Sequence, residues 1–443
     1  MMISLPNVKQ SVTKKFFVKE VISSDKTELS SKPHKSWSYL TLFLASFCLM
    51  LIFIIGSEGG QKLISPLVSP LRSLNEDQTK KGHEVMGFAP FWTINKLDNV
   101  DFDTLTTFAY FGVPVTSDGT LDRDDYGYTV FTSKRATEVF KKAHQHGTRV
   151  VLTVTQMEND TIDAILSDPQ TQDIAVEQTV NEVIERGIDG VNIDFEYVGN
   201  PGKEKRDAFS RFVRTMTEKM HERLPGSRVT VSVYASSASS PKLYDIKAIA
   251  DGSDGIFMMA YDFAVAGSEQ ATPTAPLYGK KEGKYAYDIA TSVEDFLKLM
   301  PAEKLILGVP YYGYNYMVYE PKVKGATRPR SSWRGKSTAQ TYESALNNNK
   351  VTKTGWDEVG QVGWQAYYVE ETDTWRMIFL DDSKSLGIKY DYAKSKGLGG
   401  VGMWALGFDE GKPELWALLR EKFGSKPIAD NTIITRKINE GRL

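Results

Sequence analysis

One run of residues in this chain is suited to acid–base chemistry: Asp189-Gly-Val-Asn192-Ile-Asp194-Phe-Glu196. Side chains alternate along a strand, so Asn192, Asp194 and Glu196 share one face. In a barrel strand that face is the interior, near the C-terminal mouth. Two carboxylates there cost on the order of several kcal/mol in desolvation and mutual repulsion unless they have partners or a task. Strand-end acids that merely cap loops are the ordinary alternative. A polar series closing a buried apolar strand favours catalysis. Residues i and i+2 lie roughly 6.6 Å apart along a strand. Asp194 and Glu196 therefore approach a bound sugar from one side. A glycosidase with two opposed carboxylates needs one on each face of the ring. The nucleophile can instead be the substrate's own 2-acetamido oxygen, which forms an oxazolinium ion. Glu196 would then protonate the leaving oxygen and later deprotonate water. Asp194 would orient the acetamido N–H, and its charge would hold the proton on Glu196.

Such a strand needs a frame. Short β-rich runs fall at 84–90, 104–113, 149–155, 190–196, 228–234, 255–261, 304–310 and 399–406. Most are continuously apolar, as strands buried on both faces are. Helical patterns lie between several of them. SKRATEVFKKAHQHG opens on a Ser cap and closes on Gly147, AVEQTVNEVIERG closes on Gly187, and SLGIKYDYAKSKG closes on Gly397. DAFSRFVRTMTEKMHERLPG is another. The expected fold is α/β, a (β/α)8 TIM barrel over residues 83–425. The stretch between Pro310 and Gly399 is too long for one βα unit. STAQTYESALNNNK reads as a helix, and VGWQAYYVEETDTWRMIFLDD as a hairpin with Thr372 and Asp373 near its turn. Residues 314–383 are therefore expected to form a small α+β insertion between strands 7 and 8, walling a cleft.

Other chemistries are excluded. Gly397-Leu-Gly399-Gly-Val-Gly402 fits a dinucleotide pattern, but a helix precedes it and a strand follows, the reverse of what that site needs. The five His have no zinc-ligand spacing, so no metal is expected, and no cofactor. One Cys excludes an intrachain disulfide. With 54 basic and 56 acidic residues, the overall charge makes no case for nucleic acid as a partner.

The N-terminal region is different. Ser36–Ser57 is a run of 22 uncharged residues containing LTLFLASFCLMLIFIIG, long enough as a helix to span a bilayer. The first 36 residues hold seven Lys against three acids, and only Lys62 and Arg72 follow closely. The positive-inside rule then gives a cytoplasmic tail over 1–35, a transmembrane helix over 36–57 that anchors the chain in the membrane, and a catalytic body on the extracytoplasmic side. A cleaved signal peptide would need a shorter leading region and a shorter apolar core. Residues 58–82 read as a linker and 426–443 as a tail.

DGVNIDFE resembles the DxxDxDxE signature of glycoside hydrolase family 18, the chitinase-like barrel enzymes. Met259-Ala-Tyr261-Asp262 resembles the family's M-x-Y-D at the end of strand six, and Trp404 in GGVGMWALGFDE matches its strand-eight Trp. The resemblance spans about residues 84–420. It implies that Tyr261 binds the acetamido carbonyl, that Asp262 and Met259 line the sugar site, and that Trp404 floors the −1 subsite. It also implies retention of configuration through substrate assistance, without metal. The partner is then a glycan containing N-acetylglucosamine. A chitinase-like lectin without activity is the alternative, although such members typically lose the acid. Two departures stand out: Asn192 where the signature has Asp, and LTVTQ on strand three in place of SxGG. Asn192 can hydrogen-bond Asp194 but cannot share a proton with it. Trp92, Tyr311, Tyr312 and Trp333 are further candidates for the cleft wall.

Overall fold

The computed structural model describes residues 71–424. The expected tail 1–35, the anchor over 36–57 and the tail 426–443 lie outside the described residues. Among the described residues no helix is long and apolar enough to cross a membrane.

Eight parallel strands form a closed barrel: β1 (Glu84–Pro90), β2 (Thr107–Pro114), β3 (Arg149–Gln156), β4 (Gly190–Phe195), β5 (Arg228–Tyr234), β6 (Gly255–Met259), β7 (Leu305–Pro310) and β8 (Gly400–Trp404). Each strand pairs with its sequence neighbours, and β8 closes on β1 with Phe88 opposite Trp404. The TIM-barrel expectation thus holds, with strand bounds shifted by at most a few residues.

Helices cover the outside because their apolar residues recur at helical spacing. In Lys134–Gln145 the buried positions are Ala136, Val139, Phe140 and Ala143, a single stripe. The Ser133 hydroxyl accepts from the Ala136 amide at 3.1 Å and caps that helix. Pro169–Arg186 ends at Gly187, whose φ of 67° suits glycine, and a Cβ there would lie 2.4 Å from the Leu71 carbonyl. Inside the barrel, Met86, Phe88, Ala109, Val151, Phe257 and Ile306 form a separate buried cluster. A Cβ on Gly308 or Gly402 would come within 2.5 or 2.7 Å of the Phe257 ring. The glycines on β7 and β8 therefore make room for one large interior side chain.

The end of the barrel formed by the strand N-termini is closed by charge. Glu84 is buried with Arg228 Nε at 3.4 Å and Arg149 Nη1 at 3.9 Å, and Thr106 donates to it. Burial opposes ionisation, but the arginines and the threonine hydroxyls hold Glu84 below the usual range.

The linker reading is corrected at its end. Residues 71–82 lie against this same face of the barrel rather than standing off as a tether. Leu71 is buried in the main core, the Leu74 amide donates to Asp189 at 2.6 Å, and Lys80 donates to the carbonyls of Phe102 and Leu105. The strap is short and mostly polar, so it carries no periodic signal; its hold comes from Asp189 and from those free carbonyls.

The insertion is α+β, as expected, but it begins at Tyr312. Five antiparallel strands run in the order Thr338–Thr341, Tyr312–Val318, Thr374–Leu380, Val362–Val369 and Lys353–Asp357. The segment read wholly as a helix splits. Thr338–Thr341 pairs with Tyr312–Asn315 as an edge strand, and only Tyr342–Leu346 is helical, capped by Thr341. Backbone pairing with Tyr312–Asn315 overrides local helix propensity there. The hairpin turns through Glu370–Thr372 and Asp373, whose φ is 45°.

Candidate active site

Strand parity places the polar series. On β4 the side chains of Val191, Ile193 and Phe195 pack outward into the main core, where Phe195 stacks on Phe212 with ring centroids 5.5 Å apart. Asn192, Asp194 and Glu196 therefore face inward and upward. The opening residue of the motif, Asp189, sits at the other end of the strand. There it holds His144 at 2.7 Å and the Val150 amide at 2.8 Å.

Asn192 is fully buried and does not bond Asp194. Its amide donates to Ser232 at 3.0 Å, and its carbonyl accepts from Thr230 at 2.9 Å. Both hydroxyls come from the adjacent β5, in register with β4. The expected link along one strand is replaced by a link across two, because both ends of the amide are already satisfied.

Asp194 is buried, and its Oδ1 has no hydrogen-bond partner among the described residues. Burial, followed by the Glu196 charge, raises its pKa well above the usual carboxylate range. Glu196 is partly buried. Its pKa is also raised, first by burial and then by the Asp262 charge, while a hydrogen bond from Tyr234 and the Lys242 charge oppose the rise. The two carboxyls are thus raised together, each chiefly by burial, so the pair holds on to protons more strongly than free carboxylates do. Among the described residues Asp194 Oδ1 has no donor, whereas Glu196 has the Tyr234 hydroxyl and the Lys242 charge beside it.

Tyr234 was not singled out by sequence. It ends β5, with its hydroxyl hydrogen-bonded to Glu196, and Lys242 lies 4.2 Å above its ring. The signal was present as parity: Thr230, Ser232 and Tyr234 form a second inward polar series beside the first. Tyr234→Phe removes a group that favours the charged form of Glu196. The Glu196 pKa then rises further, and the alkaline limb of the kcat/KM profile moves to higher pH. Turnover falls about tenfold, the scale of a lost hydrogen bond to a charged group. A pH profile superimposable on that of the parent would sink this role.

The remaining candidates gather at the same mouth. Met259, Tyr261, Trp404 and Phe111 pack on top of the interior cluster. The Trp404 ring lies 4.7 Å from Phe111 and 6.5 Å from Trp92, and Trp92 is 45% exposed. Asp262 has a φ of 58°, and its carboxylate accepts from Tyr312 at 2.5 Å and Tyr314 at 2.9 Å. These two hydroxyls come from the first strand of the insertion, which ties that domain to the site. Asp262 is exposed as a residue, yet its carboxylate is enclosed by protein; burial raises its pKa and the two hydroxyls lower it. Tyr261 packs edge-on against Tyr312 at 6.1 Å. Tyr311 is core rather than cleft, 1% exposed and packed with the residues outside the barrel, because it is of opposite parity to Tyr312. Trp333 is 57% exposed on the insertion, and no ring contact joins it to the aromatic group around Trp404 among the described residues. No cluster of His, Cys, Asp and Glu among the described residues could hold a metal ion.

The arrangement brings a pair of acids, a group of aromatic rings and a third carboxylate together at the C-terminal end of the barrel strands. Residues 77–409 match the sequence model of glycosyl hydrolases family 18. Di-N-acetylchitobiase of Mus musculus is 27% identical over 278 residues, which cover 60% of this chain and 72% of that protein. Cortical fragment-lytic enzyme of Bacillus anthracis is 25% identical over 334 residues, covering 72% of this chain and 68% of that protein. Among solved structures, the Ostrinia furnacalis Group IV chitinase in complex with allosamidin shares the fold with a TM-score of 0.65 at 19% identity. That match covers 80% of this chain and 99% of the chitinase. A Cycas revoluta chitinase in complex with (GlcNAc)3 has a TM-score of 0.66 at 21% identity, covering 77% of this chain and all of the other.

Proposed function

The chain belongs to the glycosyl hydrolases family 18, and from that premise we propose that it hydrolyses β-1,4 bonds beside N-acetylglucosamine, in chitin oligosaccharides or peptidoglycan glycan. The observation that carries this reading is the unpartnered Oδ1 of Asp194, a buried acceptor next to Glu196. An acetamido N–H is a donor of the right kind for it. Once that bond forms, the anion of Asp194 is supported and the proton held by the pair rests on Glu196. Glu196 then protonates the leaving oxygen as the acetamido oxygen attacks the anomeric carbon. The resulting oxazolinium is stabilised by the Asp194 anion, and Glu196 next takes a proton from water, whose oxygen opens the ring with net retention. Tyr261 and Asp262 hold the sugar, Trp404 and Met259 floor it, and Trp92 extends the apolar wall. Relatives named for a chitobiase and for a cortical fragment-lytic activity bear on both candidate substrates.

Product analysis tests the reading. The full-length chain is incubated with chitooligosaccharides and with purified peptidoglycan, and new reducing ends are identified by mass spectrometry. Cleavage on the reducing side of an N-acetylglucosamine is expected. Binding of both glycans without any cleavage would leave a lectin instead.

We also propose that the apolar run over 36–57 holds the chain in a membrane with the barrel outside the cytoplasm. Protease added to intact cells should then remove the barrel and spare the first 35 residues. A mature N-terminus near residue 57 contradicts the anchor.

A further inference from the structure

Charge is balanced over the whole chain but not within the insertion. Residues 319–337 carry Lys322, Lys324, Arg328, Arg330, Arg334 and Lys336 against the single acid Glu320. Among the described residues only Lys322 of these six has a carboxylate within 4 Å, Glu320 at 2.6 Å. Arg328 shares the surroundings of Tyr368 with Glu370 and Asp373, and Lys324 donates to the Lys284 carbonyl, which leaves Arg330, Arg334 and Lys336 as the less compensated charges. Two exposed aromatic rings sit in the same arm, each stacked by a guanidinium. Arg328 lies 4.5 Å from the Tyr319 ring centroid, and Arg334 lies 4.9 Å from that of Trp333. Tyr319 is 53% exposed and Trp333 57%.

The arm is held in place by backbone bonds. Gly325–Ala326 pairs with Gln270–Ala271, on the loop that leaves Asp262, and Thr327 donates to the Ser268 carbonyl at 2.8 Å. Ser331 and Gly335 close a hairpin around Trp333. Arg376, from the central sheet, donates to the carbonyls of Lys336 at 2.8 Å and Arg334 at 3.2 Å. A solvated charge run would need neither these pins nor exposed rings. Aromatic faces take sugar rings, and planar guanidinium groups take carboxylate or phosphate in a fixed geometry. The root of the arm is joined to the site by a single strand. The strand Tyr312–Val318 spans ~20 Å from the Asp262 partners to the arm, a few sugar lengths.

We propose that residues 319–337 form a binding surface for an anionic polysaccharide, so that glycan bearing carboxylate or phosphate groups is captured in preference to neutral chitin. The inference rests on the glycan-hydrolase reading for its ligand class, but its test is independent of turnover. Binding is measured with the full-length Glu196→Gln chain on three materials: peptidoglycan with its phosphate-bearing polymers, peptidoglycan stripped of them, and colloidal chitin. Arg330→Gln with Lys336→Gln should lower the ratio of anionic-glycan to chitin affinity about tenfold at low salt. That difference should shrink as salt screens it. Loss only on unstripped peptidoglycan assigns the surface to phosphate; equal loss on stripped peptidoglycan assigns it to carboxylate. Trp333→Ala should weaken both kinds of glycan without changing the salt dependence. An unchanged ratio in a variant with the parent's melting temperature overturns the proposal, and so does an equal loss on colloidal chitin. If the chain with Glu196 intact binds glycan but cleaves none, the hydrolase reading fails and this one stands.

Discussion

Glu196→Gln should reduce turnover by at least 10²–10⁴-fold on substrates with a poor leaving group, while binding is largely kept. The substitution preserves shape and the hydrogen bond that Tyr234 offers, but it removes the only proton placed for the leaving oxygen. A substrate whose leaving group is already acidic needs less protonation, so it should lose less. That dependence separates loss of an acid from loss of the fold. Equal losses on good and poor leaving groups would point to misfolding or to a different acid. The pH profile gives a second check. Glu196 must be protonated for the first step, and its pKa is raised by burial and by the Asp262 charge. The rate should therefore fall on the alkaline side of that raised pKa in the parent, and this limb should vanish from what activity Glu196→Gln retains.

Asp194→Asn should be nearly as costly, about 10²–10³-fold, through loss of charge rather than of a proton donor. The anion at this position faces the positive oxazolinium, and a neutral amide supports it far less. The same reasoning requires the 2-acetamido group. Cello-oligosaccharides should be inert, and a thiazoline analogue of N-acetylglucosamine should inhibit, since it mimics the ring-closed ion. The analogue should bind Asp194→Asn less tightly than the parent. Efficient cleavage of cello-oligosaccharides, or a glycosyl group trapped covalently on a protein carboxylate, would overturn substrate assistance even with Glu196 essential.

The barrel was legible because each strand is a short apolar run buried on both faces, and the closing glycines marked where helices stop. The inward polar series on β4 was legible because parity is a property of the chain itself. What lies across strands was not. The partners of Asn192 are hydroxyls of Thr230 and Ser232, which lie far from it in sequence and come beside it only through the β4–β5 register. Tyr234 carried a parity signal, but one tyrosine among 21 does not stand out. Tyr311 and Tyr312 are adjacent in sequence and opposite in fate, because the insertion's first strand begins between them. The Thr338–Thr341 edge was read as helix because the strand that claims it is more than twenty residues away. That Asp194 and Glu196 are neighbours could be read from parity, but the groups beside Glu196, Tyr234 and Lys242, come from β5 and the loop after it.

The strap over residues 71–82 gives the molecule a load path. Tension arriving along the chain ahead of Leu71 meets the barrel at the end opposite the cleft. It is taken up by the buried Leu71, by the Leu74–Asp189 bond and by the Lys80 contacts. Asp189 stands at the foot of the strand that leads to Asp194 and Glu196, but the closed barrel shares the force among its neighbours. The strap is held by a handful of polar bonds, whereas the barrel is held by eight strand pairings, so the strap should peel first. In a single-molecule pull from the N-terminal side, a short low-force release should precede rupture of the barrel. An enzyme working against a stiff glycan network would thus have slack to give before its catalytic geometry is disturbed.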